Sequence, residues 1–193
     1  MNRTKWLNVG RELLSRKMGI VSVAILAIFV LGAIFAFLSP YDPNALNVLE
    51  RLQSPNASHW FGTDDYGRDY FTRALYGGRV SLLVGFSAMI LATTIGVLVG
   101  VVSGYFGGWI DNLLMRLLEI ILSIPSFLVM LLLSVFLKPG LGSIVLIIGL
   151  LMWMNMARII RAETLSIRER EFVLYAKASG QNNWGIIVRH VLP

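Results

Sequence analysis

Four long apolar runs separated by polar stretches organise the chain. The first, Gly19 to Leu38, holds no charged residue and is long enough to cross roughly 30 Å of hydrocarbon at about 1.5 Å per residue. The second is free of charge from Val80 to Ile110, and its glycine-rich end from Gly104 reads as a turn. A third runs from about Leu113 to Leu137 and a fourth from about Leu141 to Ile160. None of them alternates with period two, so all four predict helices, because lipid accepts only helices or closed barrels. The expected fold class is an all-α integral membrane protein. Its expected parts are a basic N-terminus at 1–18, a first transmembrane helix at 19–38 and a polar segment at 39–79. A core follows at 80–193, with spans at about 80–103, 113–137 and 141–160 and a polar loop at 161–193.

The two polar segments differ in kind. Residues 39–79 are punctuated by Pro40, Pro43, Pro55, Gly62 and Gly67, which predicts mostly loop with one amphipathic helix from Asp69 to Tyr76. Residues 161–193 carry two short helical patterns. Arg168 to Ser179 places Phe172, Tyr175, Ala176 and Ser179 on one face. Gly180 ends this helix as a left-handed cap, and Asn182 or Asn183 caps a second from Trp184. Small residues at Ala176, Ala178, Ser179 and Gly180 admit a close partner surface, with Arg170, Glu171 and Lys177 at its rim. An amphipathic helix resting on lipid headgroups through Phe172, Tyr175 and Trp184 fits the same pattern.

Composition agrees with a membrane protein, with 56% hydrophobic and 15% charged residues. The net charge of +6 reads as topology rather than nucleic-acid binding. Arg3, Lys5, Arg11, Arg16 and Lys17 precede the first span against the single acid Glu12, which places the N-terminus in the cytoplasm. Residues 39–79 are then external, and 161–193 return to the cytoplasm with Arg158, Arg161, Arg168, Arg170, Lys177 and Arg189 around them. The first run is too long for a signal-peptide core and lacks a small-residue cleavage site, so it reads as an uncleaved anchor. The absence of cysteine removes disulfides and thiolate metal sites.

Within the spans a few positions stand out. Gly96, Gly100 and Gly104 recur every four residues and make a flat stripe for helix packing. Arg116 and Glu119 are spaced to pair, as a gate or a structural clamp, and are expected to point into the molecule. Pro125 removes one helical amide and predicts a kink, suited to a pathway wall or to packing. Asn155 sits alone among Leu150, Leu151, Met152, Trp153 and Met154, facing either another helix or a pathway.

No glycine is followed by Lys and then Ser or Thr, so no phosphate-binding loop is present and the chain is not expected to hydrolyse nucleotide by itself. His59 and His190 fall on opposite sides of the membrane, and no carboxylate pair is spaced for metal or proton chemistry. No catalytic, cofactor or metal site is therefore expected.

The C-terminal loop resembles that of the permease subunits of dipeptide and oligopeptide ABC importers. Ala176, Gly180, Leu192 and Pro193 match that family's loop spacing, while Leu174, Tyr175 and His190 depart from it. Arg170 to Val173 and Arg189 to Pro193 are similar to the peptide branch, as are Gly62-Thr63-Asp64, Gly67-Arg68-Asp69, Tyr76 to Arg79, Gly104 to Trp109, Asp111, Met115-Arg116 and Ile124-Pro125. The resemblance implies a subunit of a bacterial inner-membrane importer, multi-pass, with six spans of which four are present here. It implies a second homologous permease, an external substrate-binding protein, membrane lipid, and cytoplasmic ATPase subunits that use ATP and magnesium. Glu171, Leu174, Tyr175, Ala176, Lys177 and Gly180 would form the coupling helix that docks on an ATPase. Permeases for nickel or other small solutes share these motifs, and a truncated fragment that does not transport is a further expectation.

Overall fold

The computed structural model describes residues 15–192. The basic residues Arg3, Lys5 and Arg11, the acid Glu12 and the closing Pro193 lie outside the described residues. Among the described residues seven helices form: α1 Lys17–Ile34, α2 Tyr70–Phe106, α3 Gly108–Leu122, α4 Ser126–Phe136, α5 Leu141–Arg168, α6 Glu171–Ala178 and α7 Asn183–Ile186. Short 3₁₀ turns follow α1 at Phe35–Leu38 and lie at Val48–Glu50, and a π turn follows α7 at Ile187–Val191. Among the described residues extended pairing is limited to one isolated bridge, Thr63 to Asp69. The chain is all-helical, as its apolar pattern requires.

Among the described residues three helices are long and apolar enough to cross a membrane, the first extended to Leu38 by its 3₁₀ turn, and α3 with α4 make a fourth crossing if the bent pair is one span. Three expectations change here. The second span was placed from about residue 80, but α2 begins at Tyr70 and runs unbroken for 37 residues, roughly 55 Å. The amphipathic pattern at 69–76 is thus the first two turns of a transmembrane helix. The third span, expected as one kinked helix over 113–137, is two helices bent by 84°. Pro125 explains the size of the change. Its backbone is extended at φ −53° and ψ 122°, so the helix stops rather than bends, and Pro125 becomes the residue from which α4 starts. The fourth span likewise continues to Arg168, eight residues past the apolar run that ends at Ile160.

Two compact units divide the chain, Met1–Leu83 and Val84–Pro193. In the first, α1 crosses the start of α2 closely. A Cβ on Gly32 would lie 3.1 Å from Leu75, one on Gly78 would lie 3.9 Å from Ala33, and Ala33 and Ala36 are buried. In the second, the glycine stripe of α2 lies on α5. A Cβ on Gly96, Gly100 or Gly104 would come within 2.7 Å of Met156, the Ala157 carbonyl or Thr164 respectively. Only hydrogen fits on the α2 side of those gaps, so the side chains of Met156, Ile160 and Thr164 and the carbonyls of α5 rest directly on the α2 backbone. Leu118, Met154 and Ala157 bury a small core beside this contact.

Candidate functional site

The polar loop after α5 builds a seat and places a helix on it. α6 starts at Glu171 after an extended Arg170. It ends in a hydrogen-bonded cap: Gly180 has φ +78°, its N–H donates to the Lys177 carbonyl, and the Gln181 N–H donates to the Ala176 carbonyl. That paired closure fixes where the chain turns, and glycine supplies the left-handed residue it needs. Asn182 precedes α7 without a side-chain cap. The expected cap from Asn183 is replaced by another use, since its Oδ1 accepts the Tyr105 hydroxyl at 3.0 Å.

Val173 and Ala176 are buried and pack with Val101 and Tyr105 from the last turns of α2 and with Ile186, Ile187 and Val191. Ala176, expected to meet a partner, therefore faces its own chain: it is 6% exposed. The outward face is Glu171, Leu174, Tyr175 and Ala178, one helical stripe at spacings of three, one and three, with Tyr175 79% exposed. Lys177 and Gly180 are also exposed. Of the six residues expected to dock a partner, five are presented outward and one anchors the helix from beneath.

A buried charged cluster lies under this seat, and the sequence reading did not assemble it. Asp111, 9% exposed, accepts from the Ser103 hydroxyl and receives a forked contact from Arg161, Nε to Oδ1 and Nη2 to Oδ2, each at 2.5 Å. Arg168 Nη1 donates to the carbonyl oxygens of Gly104 and Tyr105 at 3.4 and 3.3 Å. Gly107 turns the chain from α2 into α3 at φ +65°, and a Cβ there would lie 2.9 Å from Arg168. The Gly104 to Asp111 motif was visible; the partners of Asp111 lie eight and fifty residues away.

The other candidate positions fall on exposed surface. Arg116 and Glu119 pair at 3.3 Å, but their side chains are 80% and 61% exposed, so the pair stands on the outside of this chain and does not point inward. Arg158 Nη2 donates to Asn155 Oδ1 at 2.8 Å, and both residues are exposed. Asn155 lines a cavity of about 400 Å³ at the elbow before Pro125, together with Leu122, Ile124, Ser126, Met130 and Leu151.

A second polar knot was also missed, in the loop before α2. The Asp64 carboxylate accepts the N–H groups of Tyr66 and Arg68, pairs with the Arg68 guanidinium at 2.7 Å and contacts Arg73. Burial pushes the Asp64 carboxyl up, but the backbone N–H groups of Arg68 and Tyr66 and the Arg68 side chain outweigh it and hold the group well below the usual carboxylate range. Gly67 closes the loop at φ +74°, where a Cβ would collide with the Asn47 carbonyl. His59 is buried, Nδ1 lying 3.0 Å from Asp69 and Nε2 3.6 Å from Glu50, so it is not incidental. Burial opposes ionisation of Asp69 too, yet hydrogen bonds from the Thr72 N–H and hydroxyl and from His59 hold its carboxyl low. Asp69 borders a cavity of about 410 Å³ walled by Tyr41, Trp60 and Phe71. Among the described residues no cluster of histidine and acidic side chains could hold a metal ion.

Comparison with known proteins agrees with this architecture. Residues 96–193 match the model for the binding-protein-dependent transport system inner membrane component, and residues 4–55 match the N-terminal transmembrane domain of oligopeptide transport permease C. The dipeptide transport system permease protein of Bacillus subtilis (strain 168) is 42% identical over 184 residues, covering 95% of this chain and 58% of the relative. The oligopeptide transport system permease protein of the same organism is 37% identical over 189 residues, 97% of this chain and 62% of the relative. That of Escherichia coli (strain K12) is 36% identical over 197 residues, 99% and 64% respectively. The chain thus spans about three-fifths of the length of the curated relatives it matches. With helices fit to cross a membrane and matches at both ends, the chain belongs to the family of binding-protein-dependent transport system inner membrane components.

Proposed function

We propose that this chain is part of a permease subunit that moves di- or oligopeptides across the bacterial inner membrane, driven by ATP hydrolysed on separate partner subunits. The observation that carries the coupling role is the outward stripe Glu171, Leu174, Tyr175 and Ala178 on a helix whose opposite side, Val173 and Ala176, is bolted to the end of α2. A helix exposed on one face and rigidly seated on the other is suited to receive a push. The peptide substrate class is supported by the relatives, whose names are dipeptide and oligopeptide permeases.

The rest of the assembly follows the same reading. α6 lies in the cytoplasm and meets a groove of the ATPase, with Leu174 and Tyr175 as the buried contacts and Glu171 and Lys177 at the rim. The N-terminus is cytoplasmic, as its positive residues favour. A second, homologous permease completes the pathway and covers exposed charges such as Arg116, Glu119 and Arg158, which are costly against lipid. An external binding protein delivers the peptide. ATP and magnesium are bound by the ATPase subunits rather than by this chain.

The test is co-purification of the full-length subunit with its ATPases after Leu174→Asp and Tyr175→Asp. Loss of the ATPases with the subunit still in the membrane is expected. Undiminished assembly would overturn the docking assignment, and uptake of a metal ion but no peptide by the intact transporter would overturn the substrate class.

A further inference from the structure

The seat of α6 is tied to the rest of its unit by polar contacts as well as apolar ones. Val101 and Tyr105, on which Val173 and Ala176 rest, belong to the final turns of α2. Those turns are held from three directions. Ser103 is bound to Asp111 of α3, the Gly104 and Tyr105 carbonyls to Arg168 of α5, and the Tyr105 hydroxyl to Asn183. Arg161 then closes the arrangement by gripping Asp111 from α5 with two parallel N–H groups.

Burying a carboxylate and a guanidinium is costly, and an apolar pair of similar size commonly stabilises a fold as well or better. What the ion pair supplies that an apolar contact lacks is direction. A planar fork on a carboxylate fixes distance and orientation together, whereas apolar side chains can slide. Asp111 is 9% exposed and Ser103 fully buried, with Arg161 the more open partner at 32%, so water competes little at the carboxylate end of these bonds.

We infer that Asp111, with Ser103 and Arg161, is a positioning residue that makes α6 and the adjoining ends of α2, α3 and α5 one rigid body. Displacement of α6 is then delivered along α5 instead of being absorbed at the Gly107 turn. This rests on the reading of α6 as the helix that meets the ATPase.

The experiment uses the full-length subunit assembled with its partner permease and ATPases. Exposed Trp109 in α3 and Ser179 after α6 are replaced by cysteine and spin-labelled, the 193 residues having no cysteine of their own. In the parent a single narrow distance is expected, equal in the nucleotide-free and vanadate-trapped states. In Asp111→Asn that narrow distance is lost, or shifts on trapping. Ser103→Ala, which keeps the ion pair and the fold, broadens it to a smaller degree, and Arg161→Lys falls between. An Asp111→Asn distribution as narrow as the parent's in both states would overturn the inference, even with a reduced yield of assembled transporter, because a merely structural residue lowers yield and leaves the surviving geometry intact. A parallel Lys177→Cys crosslink to the ATPase tests the docking reading separately: its absence would overturn that reading while the label distances still decide the clamp.

Discussion

Asp64 and Asp111 are both buried carboxylates gripped by arginine, yet they hold different things together. The partners of Asp64 lie two, four and nine residues away, so its bonds wind one loop on itself and onto the first turn of the helix that follows it. Those of Asp111 lie eight and fifty residues away, so its bonds join three helices. The difference sets what fails when each is removed. A local knot opens locally and leaves the helices standing, while a tie between distant helices releases all of them at once.

Asp111→Ala should have the largest effect, because Arg161 would be left with its charge part-buried and unpaired. A loss of about 3 kcal/mol is expected, read as a lower melting temperature of the purified subunit. Gly100→Leu comes next. A Cβ there already meets the Ala157 carbonyl at 2.7 Å, and forcing α2 from α5 should cost about 2 kcal/mol or more by the same assay. Asp64→Ala should leave the melting transition nearly unmoved and expose residues 47–69 to protease; a fall as large as that of Asp111→Ala would erase the contrast between knot and tie. Acid should act on the outer knot in the same way. Asp64 and Asp69 bind protons less tightly folded than unfolded, so the loop keeps its full stability above about pH 4 and loses it as pH falls further. Hydrogen exchange of residues 47–69 at pH 3 and pH 6 measures this, and equal protection at both would contradict it. Arg116→Gln is expected to be smallest, within about 1 kcal/mol for the isolated subunit, since both partners are exposed.

The apolar runs made the spans legible, and the period of four made the contact of Gly96, Gly100 and Gly104 legible, because both are local patterns with one physical meaning. Pro125 was legible as a break but not as an 84° elbow, since a missing amide predicts a kink as readily as a full stop, and the extended backbone at Pro125 decides between them. The face of α6 was half legible. Its period separates two sides, but which side is inward is decided by Val101 and Tyr105, some seventy residues earlier. Asp111 and Arg161 each stood out as charges near a span end, and no spacing rule links residues fifty positions apart. His59 was not legible as part of a cluster, because Glu50 and Asp69 reach it only after the loop has closed.

The glycine stripe carries one more consequence. Where α2 meets α5 its glycines leave no room for even a methyl group, and Met156, Ile160 and Thr164 of α5 rest directly on the α2 backbone, so along that length the two helices pack as a single beam. Flexing belongs where a helical amide is missing, and Pro125 between α3 and α4 is such a place. The bend between α3 and α4, with the cavity beside Asn155 next to it, is then the place in this unit where shape can change while the paired α2 and α5 hold.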